Sequence, residues 1–312
     1  MNNTASIFWQ AKRGLAMARA TWAVLKSQPR LMILPVISAA TLIGAIAVLL
    51  AGFMIEAASF RDAGELVSAL QAYFTDNWIV GIAVLGLIGF VLTAISVFFN
   101  AALIFCVLRA FNGEEPSIRQ GLAVALGRLP RILSWAFVAV VVGGAISIVQ
   151  ESLKEKLGFL GSLLGGVLDL AWAVVTYFVL PILVVENIGP ISAVKRSSAI
   201  LRQTWGETAV GGIGLSAVGL LLSLPAIILM AFAIWLSVST GIGAITMLVF
   251  AAGLIYLLAL SAAMSTLSTI FQTGVYVYAT TGKAPLDAEL LKSAFQPKEL
   301  RQGKSLLGWL RR

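Results

Sequence analysis

Long stretches without a charged side chain are the feature that most restricts how this sequence folds. Asp, Glu, Lys and Arg are missing from four stretches, residues 31–55, 77–108, 132–150 and 208–282. A fifth stretch, residues 157–185, is interrupted only by Asp169. Each exceeds or approaches the 20 or so apolar residues that cross the ~30 Å hydrocarbon core of a bilayer as a helix. Because lipid offers no partners to backbone N–H and C=O groups, these stretches are expected to be helical.

The overall composition supports a membrane protein and restricts its chemistry. Hydrophobic residues make up 59% of the 312 positions and charged residues 12%, against roughly 25% charged in a typical soluble domain. Histidine is absent, and the single cysteine, Cys106, lies inside an apolar stretch. Triad chemistry, histidine–metal sites and a cysteine metal cluster therefore have no residues to carry them. We expect neither an enzyme nor a bound cofactor or metal.

The charge-free stretches divide into six transmembrane helices. The 75 residues from 208 to 282 are long enough for two spans, and a cluster of Ser, Thr and Gly residues at 237–243 marks the expected break between them. The sequence thus predicts an all-α polytopic membrane protein. Its six spans are expected at 31–55, 79–108, 132–150, 167–186, 209–236 and 246–280.

The distribution of Lys and Arg predicts the orientation of these spans. Nineteen of the 22 basic residues fall in alternate extramembrane segments that include both termini, and three fall in the others. Cytoplasmic segments carry this excess of basic residues. We therefore expect a multi-pass protein of the bacterial cytoplasmic (inner) membrane with cytoplasmic N- and C-termini. A cleaved signal peptide is disfavoured, because its apolar core would have about 7–15 residues and the first stretch has 25.

Three parts follow from this topology. Residues 1–30 form a cytoplasmic amphipathic helix, 31–282 the six-span domain, and 283–312 a basic cytoplasmic tail. In the first part the basic residues recur every seven positions beside a tryptophan, as expected of a helix lying in the membrane interface. The predicted contacts with anionic lipid headgroups are Lys12, Arg19, Trp22 and Lys26. Lipid headgroups account for the net charge of +8, so no nucleic-acid partner is expected.

Similar basic amphipathic segments precede spans one, three and five. Each predicts a cytoplasmic elbow helix that leads into an outward span. Two interpretations are open: the chain consists of three parallel repeats of elbow, outward span and returning span, or the segments have converged on the properties of interfacial helices.

The sixth span carries the clearest polar pattern at membrane depth. Hydroxyl and amide residues recur at spacings of three and four, which places them on one face of a helix. These residues are Ser261, Ser265, Ser268, Thr269, Gln272 and Tyr276, followed by Thr280. One interpretation is interhelical hydrogen bonding, and the other is a hydrated pathway for a polar, uncharged solute.

Two further polar residues lie within the predicted spans. Asp169 is the one acid inside an apolar stretch, about one turn from the external end of span four. An interfacial position or a helix cap is favoured over a role in cation or proton binding. Asn100 lies about two turns inside the cytoplasmic end of span two, where an amide is expected to hydrogen-bond to a neighbouring helix rather than form a site.

Several segments at the entries and ends of the spans carry a resemblance to known proteins. They are 26–35, Phe99-Asn100-Ala101-Ala102, Gly113-Glu114-Glu115-Pro116, Leu180-Pro181-Ile182, 193–197 and Thr204-Trp205-Gly206. With these segments the chain resembles a family of six-span bacterial inner-membrane proteins of unknown function and, more remotely, is similar to the membrane domain fused to some glycerophosphodiester phosphodiesterases. The segments are interfacial helices and span ends, so the resemblance implies a membrane fold and no particular activity.

Two functions remain open from the sequence. The polar face of span six favours a permease or channel-like protein for a small polar solute or lipid component. The lack of intramembrane charge and of inverted repeats favours a non-transporting scaffold or assembly factor that organises lipids or a partner complex. Membrane lipids are the expected partners, and the sequence leaves open whether the chain forms a homo-oligomer or binds another protein.

Overall fold

A computed structural model describes residues 19–60, 62–240 and 243–282. Residues 1–18, with Lys12, and the basic tail from 283 onward lie outside the described residues. Within these ranges the chain forms helices and no strand. The helices are α1 (19–27), α2 (Ile33–Ala57, after a 3₁₀ turn at Pro29–Met32), α3 (Ala63–Asp76), α4 (Trp78–Phe111), α5 (Ile118–Gly127), α6 (Leu129–Leu157), α7 (Phe159–Thr176), α8 (Val179–Val185), α9 (Pro190–Thr240) and α10 (Gly243–Thr281).

Six segments of the described chain are long and apolar enough to cross a membrane, which confirms the predicted fold class. They are Pro29–Ala57, Trp78–Phe111, Leu129–Leu157, Phe159–Val185, Val218–Ser237 and Thr246–Thr281. Span three is longer than predicted, because the helix continues past the apolar stretch into the charged residues Glu151–Lys156. Span four begins earlier, at Phe159, and is broken after Thr176 into α7 and α8.

Spans that follow one another along the chain pack against each other. The contacts join α2 with α4, α4 with α6, α6 with α7, and α9 with α10. The turn between α6 and α7 is a single residue, Gly158, with φ +56° and ψ −124°, a conformation that is open mainly to glycine. Because α4 packs against α6 as well as against α2, these contacts do not separate the chain into two-span units, and the three repeats stay a prediction.

The elbow helices differ from one unit to the next. A short helix precedes span one (α1), and another precedes span three (α5), whose N-cap Ser117 accepts a hydrogen bond from the Gln120 N–H at 3.4 Å. Before span five the helix is unbroken for 51 residues, so the elbow predicted there is the first part of α9 and not a separate helix. The helix α3, between spans one and two, was not predicted.

Buried residues concentrate in one half of the bundle. This half carries Arg30, Arg109, Arg131 and Arg196, and we call it the basic end. Its core is formed by the C-terminal half of α4, by α8 and by the C-terminal half of α10, with Leu25 of α1 and Leu31 packed against them. Towards the opposite end, where α3 and the Gly158 turn lie, large apolar side chains are exposed, such as Val48, Leu85 and Leu163. Buried side chains are thus concentrated at the basic end, and exposed apolar side chains towards the other.

Candidate functional site

The polar face of α10 divides into two parts with different surroundings. Ser261, Ser265 and Ser268 line a cleft between α9 and α10. Thr269, Gln272 and Tyr276, nearer the basic end, pack against other helices. Thr269 is 6% exposed and donates from its hydroxyl to its own helix, at the Ser265 carbonyl, over 2.9 Å. The polar face of α10 therefore borders a cleft along one part and other helices along the next, and the choice between a hydrated pathway and interhelical bonding stays open.

Tyr276 belongs to a polar contact at the basic end. It is 3% exposed, and its hydroxyl donates to Glu186 Oε1 at 3.1 Å. The same carboxylate oxygen accepts a hydrogen bond from Arg196 Nε at 3.2 Å. Glu186 directly follows α8, and Arg196 lies in the first turns of α9. This contact joins α8, α9 and α10, so Tyr276 has a structural role here.

The Gln272 side chain replaces a backbone hydrogen-bond donor that span four lacks because of a proline. The carbonyl of Tyr177 would normally accept from the N–H four residues later, and that residue is Pro181, which has none. The Gln272 side-chain amide donates to this carbonyl instead. On the other side of the break, the Phe178 N–H donates to the fully buried Ser197 Oγ of α9 at 3.0 Å. Side chains from two neighbouring helices thus satisfy the broken backbone.

The cleft between α9 and α10 encloses about 670 Å³. Pockets of about 300–1,000 Å³ are typical of small-molecule sites. Hydroxyl groups on its wall come from α10 and from Ser216 and Ser223 of α9, and Tyr177 lies at its margin. The remaining wall is apolar, formed by leucines, Met264 and Phe271. Among the described residues, no Asp, Glu, Lys or Arg lines the cleft.

A second, smaller cavity lies on the other side of α10. It encloses about 220 Å³ between α2, α4 and α10, and its polar residues are Ser38, Ser96, Asn100, Ser261 and Ser265. Two of these, Ser261 and Ser265, line the first cleft as well. The two cavities therefore meet at the same two serines. Asn100 was expected to bond to a neighbouring helix, and the structure places it in this cavity, half-buried.

The serine hydroxyls at the cavities differ from the buried threonines beside them. Thr266 donates to the Ala262 carbonyl at 2.8 Å, and Thr269 makes the equivalent bond within its own helix. In the described part of the chain, no such bond is made by Ser261, Ser265 or Ser268. A hydroxyl without a partner is costly in an apolar environment. These three groups are therefore available to water or to a bound molecule.

The depth of the second cavity follows from its distance to the basic end. Ser38 lies eight residues after Arg30, and Asn100 lies nine residues before Arg109. At 1.5 Å per residue both are about 12–14 Å along their helices from those arginines. Half the thickness of the hydrocarbon core is roughly 15 Å. With Arg30 and Arg109 at one edge of the hydrocarbon core, the cavity would therefore lie close to its middle.

The remaining predicted residues lie away from both cavities. Asp169 is exposed on α7, ten residues after this helix begins at Phe159. At 1.5 Å per residue it lies about 15 Å from the start of span four, so the prediction that it lies about one turn from the end of the span is wrong. The carbonyl of Gly165, one turn before Asp169, accepts a hydrogen bond from Gln150 Nε2 at 2.9 Å. In α1, Arg19, Trp22 and Lys26 are exposed, whereas Leu25 is buried in the core. No group of three His, Cys, Asp or Glu side chains in the described ranges is arranged to hold a metal ion.

Several cavity residues were not predicted, although the same spacing rule would have found them. Ser96 lies four residues before Asn100 on α4, and Ser216 and Ser223 are seven apart on α9. Each pair lies on one helical face. Ser38 is the one polar residue that α2 contributes to the described cavity lining, and Thr41, three residues later, does not line it.

A bundle of six membrane-spanning helices, with two uncharged cavities that share serines, defines the chain as an integral membrane protein with a candidate site for a neutral polar group. The chain belongs to a family of unknown function, DUF6159, whose model matches residues 79–286. This range contains spans two to six and all of α10. Searches of curated proteins and of solved structures gave no match.

Proposed function

We propose that this chain is a permease or channel-like protein of a bacterial cytoplasmic membrane, with cytoplasmic termini, that moves a small neutral polar solute or lipid component. The observation that carries the proposal is that Ser261 and Ser265 line both cavities. A molecule that leaves one cavity for the other would pass hydroxyl groups on the same helix. Transporters commonly bind their substrates near the membrane midplane, and this is supported by the positions of Ser38 and Asn100, about 12–14 Å along their helices from the arginines of the basic end.

The lack of charge on the cavity walls limits what could pass. Strongly selective ion pathways use rings of acidic, basic or carbonyl groups, and the described cavity walls carry no Asp, Glu, Lys or Arg. Hydroxyls and one amide suit a neutral molecule that both donates and accepts hydrogen bonds. We propose no enzymatic activity, and the remote similarity to membrane domains of phosphodiesterases remains a prediction.

Cysteine accessibility tests the proposal. Cys106 would first be replaced by serine, which keeps a donor for the Ser117 carbonyl that the thiol contacts at 3.5 Å. In that background, Ser265→Cys and Ser268→Cys would be treated with a membrane-impermeant cationic thiol reagent from each side of the membrane. Thr266→Cys is the matched control, because Thr266 lies on the same helix and is fully buried.

We expect the two serine positions to react from at least one side, at least tenfold faster than position 266. If all three positions react equally slowly from both sides, the cleft is not hydrated and the transport proposal is wrong. That result would favour the scaffold function, in which the polar face serves only to hold helices together.

A further inference from the structure

The wall of the cleft between α9 and α10 is polar on one side and apolar on much of the rest. This division indicates which class of ligand the cleft would bind. One side presents the hydroxyls of Ser261, Ser265 and Ser268, and much of the rest is apolar, including Leu220, Leu260 and Phe271. A small free polyol would leave this apolar surface without a partner. A purely apolar molecule would leave the hydroxyls unsatisfied, which is costly at membrane depth. The wall therefore matches a molecule with both kinds of surface.

The cleft also borders the apolar outer surface of the bundle. Leu220, which lines it, is 62% exposed, and its neighbours Leu221 and Leu224 are exposed on the same helix. Both flanking helices are membrane spans, so this surface faces acyl chains. A molecule already dissolved in the bilayer could reach the cleft sideways. At the inner margin, Tyr177 and Phe271 line the cleft, and the hydrogen bond from Gln272 to the Tyr177 carbonyl ties α10 to span four just beyond them.

We propose that this cleft binds a neutral lipid-like amphiphile, with free hydroxyl groups on its head and acyl chains against the leucines. This inference rests on the proposed function and narrows its substrate class. An anionic head is disfavoured, because no Lys or Arg lines the described cleft to compensate the charge. The volume of about 670 Å³ holds a glyceryl head with short chains, whereas the cavity of about 220 Å³ beyond the shared serines has room only for the head.

Ligand protection of a single thiol tests the proposal. In the Cys106→Ser background, Ser268→Cys reports on the cleft and leaves Ser261 and Ser265 in place. The protein in lipid nanodiscs would be labelled with N-ethylmaleimide alone and with dioctanoylglycerol, trioctanoylglycerol, dioctanoyl phosphatidic acid or glycerol. Ser239→Cys is the control, because Ser239 is exposed on α9 and lies away from the cleft.

Dioctanoylglycerol is expected to slow labelling at position 268 by roughly tenfold when present at about ten times its Kd, and to leave position 239 unchanged. Trioctanoylglycerol, which has no free hydroxyl, and the anionic lipid should protect at least several-fold less. Replacing both Ser261 and Ser265 by alanine should remove most of the protection by dioctanoylglycerol.

Three outcomes would overturn the inference. Equal protection by glycerol would show a polyol site, and equal protection by trioctanoylglycerol would show an apolar groove. An absence of protection by every probe would show that the cleft binds no such lipid. The proposed function fails separately, if positions 265 and 268 are as unreactive as position 266 towards the impermeant cationic reagent while N-ethylmaleimide, which enters the bilayer, still labels position 268. The failure of one proposal can therefore be distinguished from the failure of the other.

Discussion

Among the described glycines, Gly161 has the closest approach from a neighbouring span. It is buried on α7, and a Cβ built there would overlap the backbone carbonyl of Leu153 on α6. Five residues further along the chain, Gly166 has open space where a Cβ would lie. The close packing of α6 and α7 thus requires a residue without a side chain at Gly161 but not at Gly166.

We predict that Gly161→Ala destabilises the fold by about 1–3 kcal/mol, the usual cost of forcing an extra group into a packed site. Gly166→Ala, the matched control, should be neutral or stabilising by up to about 1 kcal/mol, because alanine favours helix. Cys106 supplies the measurement, since it is the only cysteine and is 1% exposed. Its labelling by a thiol dye on heating reports unfolding. Equal midpoints for the two variants would contradict the close packing of α6 and α7.

Gly121 plays a similar part where the elbow helix α5 crosses span two. An added Cβ would lie 2.8 Å from both the Ala102 carbonyl oxygen and Cys106 Sγ. Gly121→Ala should therefore push α5 away from α4 and raise the reactivity of the Cys106 thiol several-fold in the folded protein. Gly127→Ala, at the open end of the same helix, should leave the labelling rate unchanged. Unaltered labelling of Gly121→Ala would mean that α5 is loosely attached.

At the scale of an element, the break in span four gives a prediction that links two residues. Gln272 donates to the Tyr177 carbonyl because Pro181 cannot. Gln272→Leu should therefore cost about 1 kcal/mol, within the range of hydrogen bonds between membrane helices. Pro181→Ala restores a backbone N–H, so in that background Gln272→Leu should cost much less.

A double-mutant cycle measures this coupling from unfolding midpoints of the four proteins, read by labelling of Cys106. Ser198→Ala provides a control, because the Ser198 hydroxyl bonds only to Lys195 of its own helix and is exposed. Additive effects of the Pro181 and Gln272 substitutions would contradict the proposed replacement of one hydrogen bond by another.

The polar face of α10 shows how far the sequence could predict the site. The spacing of polar residues places Ser261 to Tyr276 on one face of a helix, and α10 spans all of these residues. It did not indicate where that face changes from cavity wall to packed contact. The change occurs beside Tyr177, where span four is broken, and so depends on a different helix. Spacing describes one helix at a time, whereas the surroundings of a face are set by its neighbours.

How well the sequence predicts the structure also differs from one helix to another. Charge-free stretches predicted all six spans, because the thickness of the bilayer fixes their length. They did not predict α3, whose 14 residues include Glu65 and Asp76 and lie between two spans. Nor did basic composition distinguish the separate elbow α5 from the first part of α9. Both segments are helical and basic, and only the link to the following span differs.

At the scale of the whole molecule, packing is uneven from one end to the other. The core lies at the basic end, where α8 and the C-terminal halves of α4 and α10 meet. Towards the opposite end the described helices expose large apolar side chains to the surroundings. Such a bundle is stable in lipid, which supplies apolar contacts to these side chains. The serine-lined cavities lie at the boundary between the packed half and the open half.

Because packing is uneven, the orientation of the bundle in the membrane determines from which side the cavities can be reached. Among the described residues, the basic end carries most of the Lys and Arg side chains, so we expect it in the cytoplasm, with the packed core forming the inner barrier. Phosphatase reporters fused after Glu65 in α3 and after Lys154 near the Gly158 turn should then be active outside. A fluorescent reporter fused after Arg119 in α5 should be bright inside. The reverse pattern of reporter activity would place the open half of the bundle towards the cytoplasm and the packed core towards the outside. Activity of both phosphatase fusions, with a dark reporter at Arg119, would contradict the six-span topology itself.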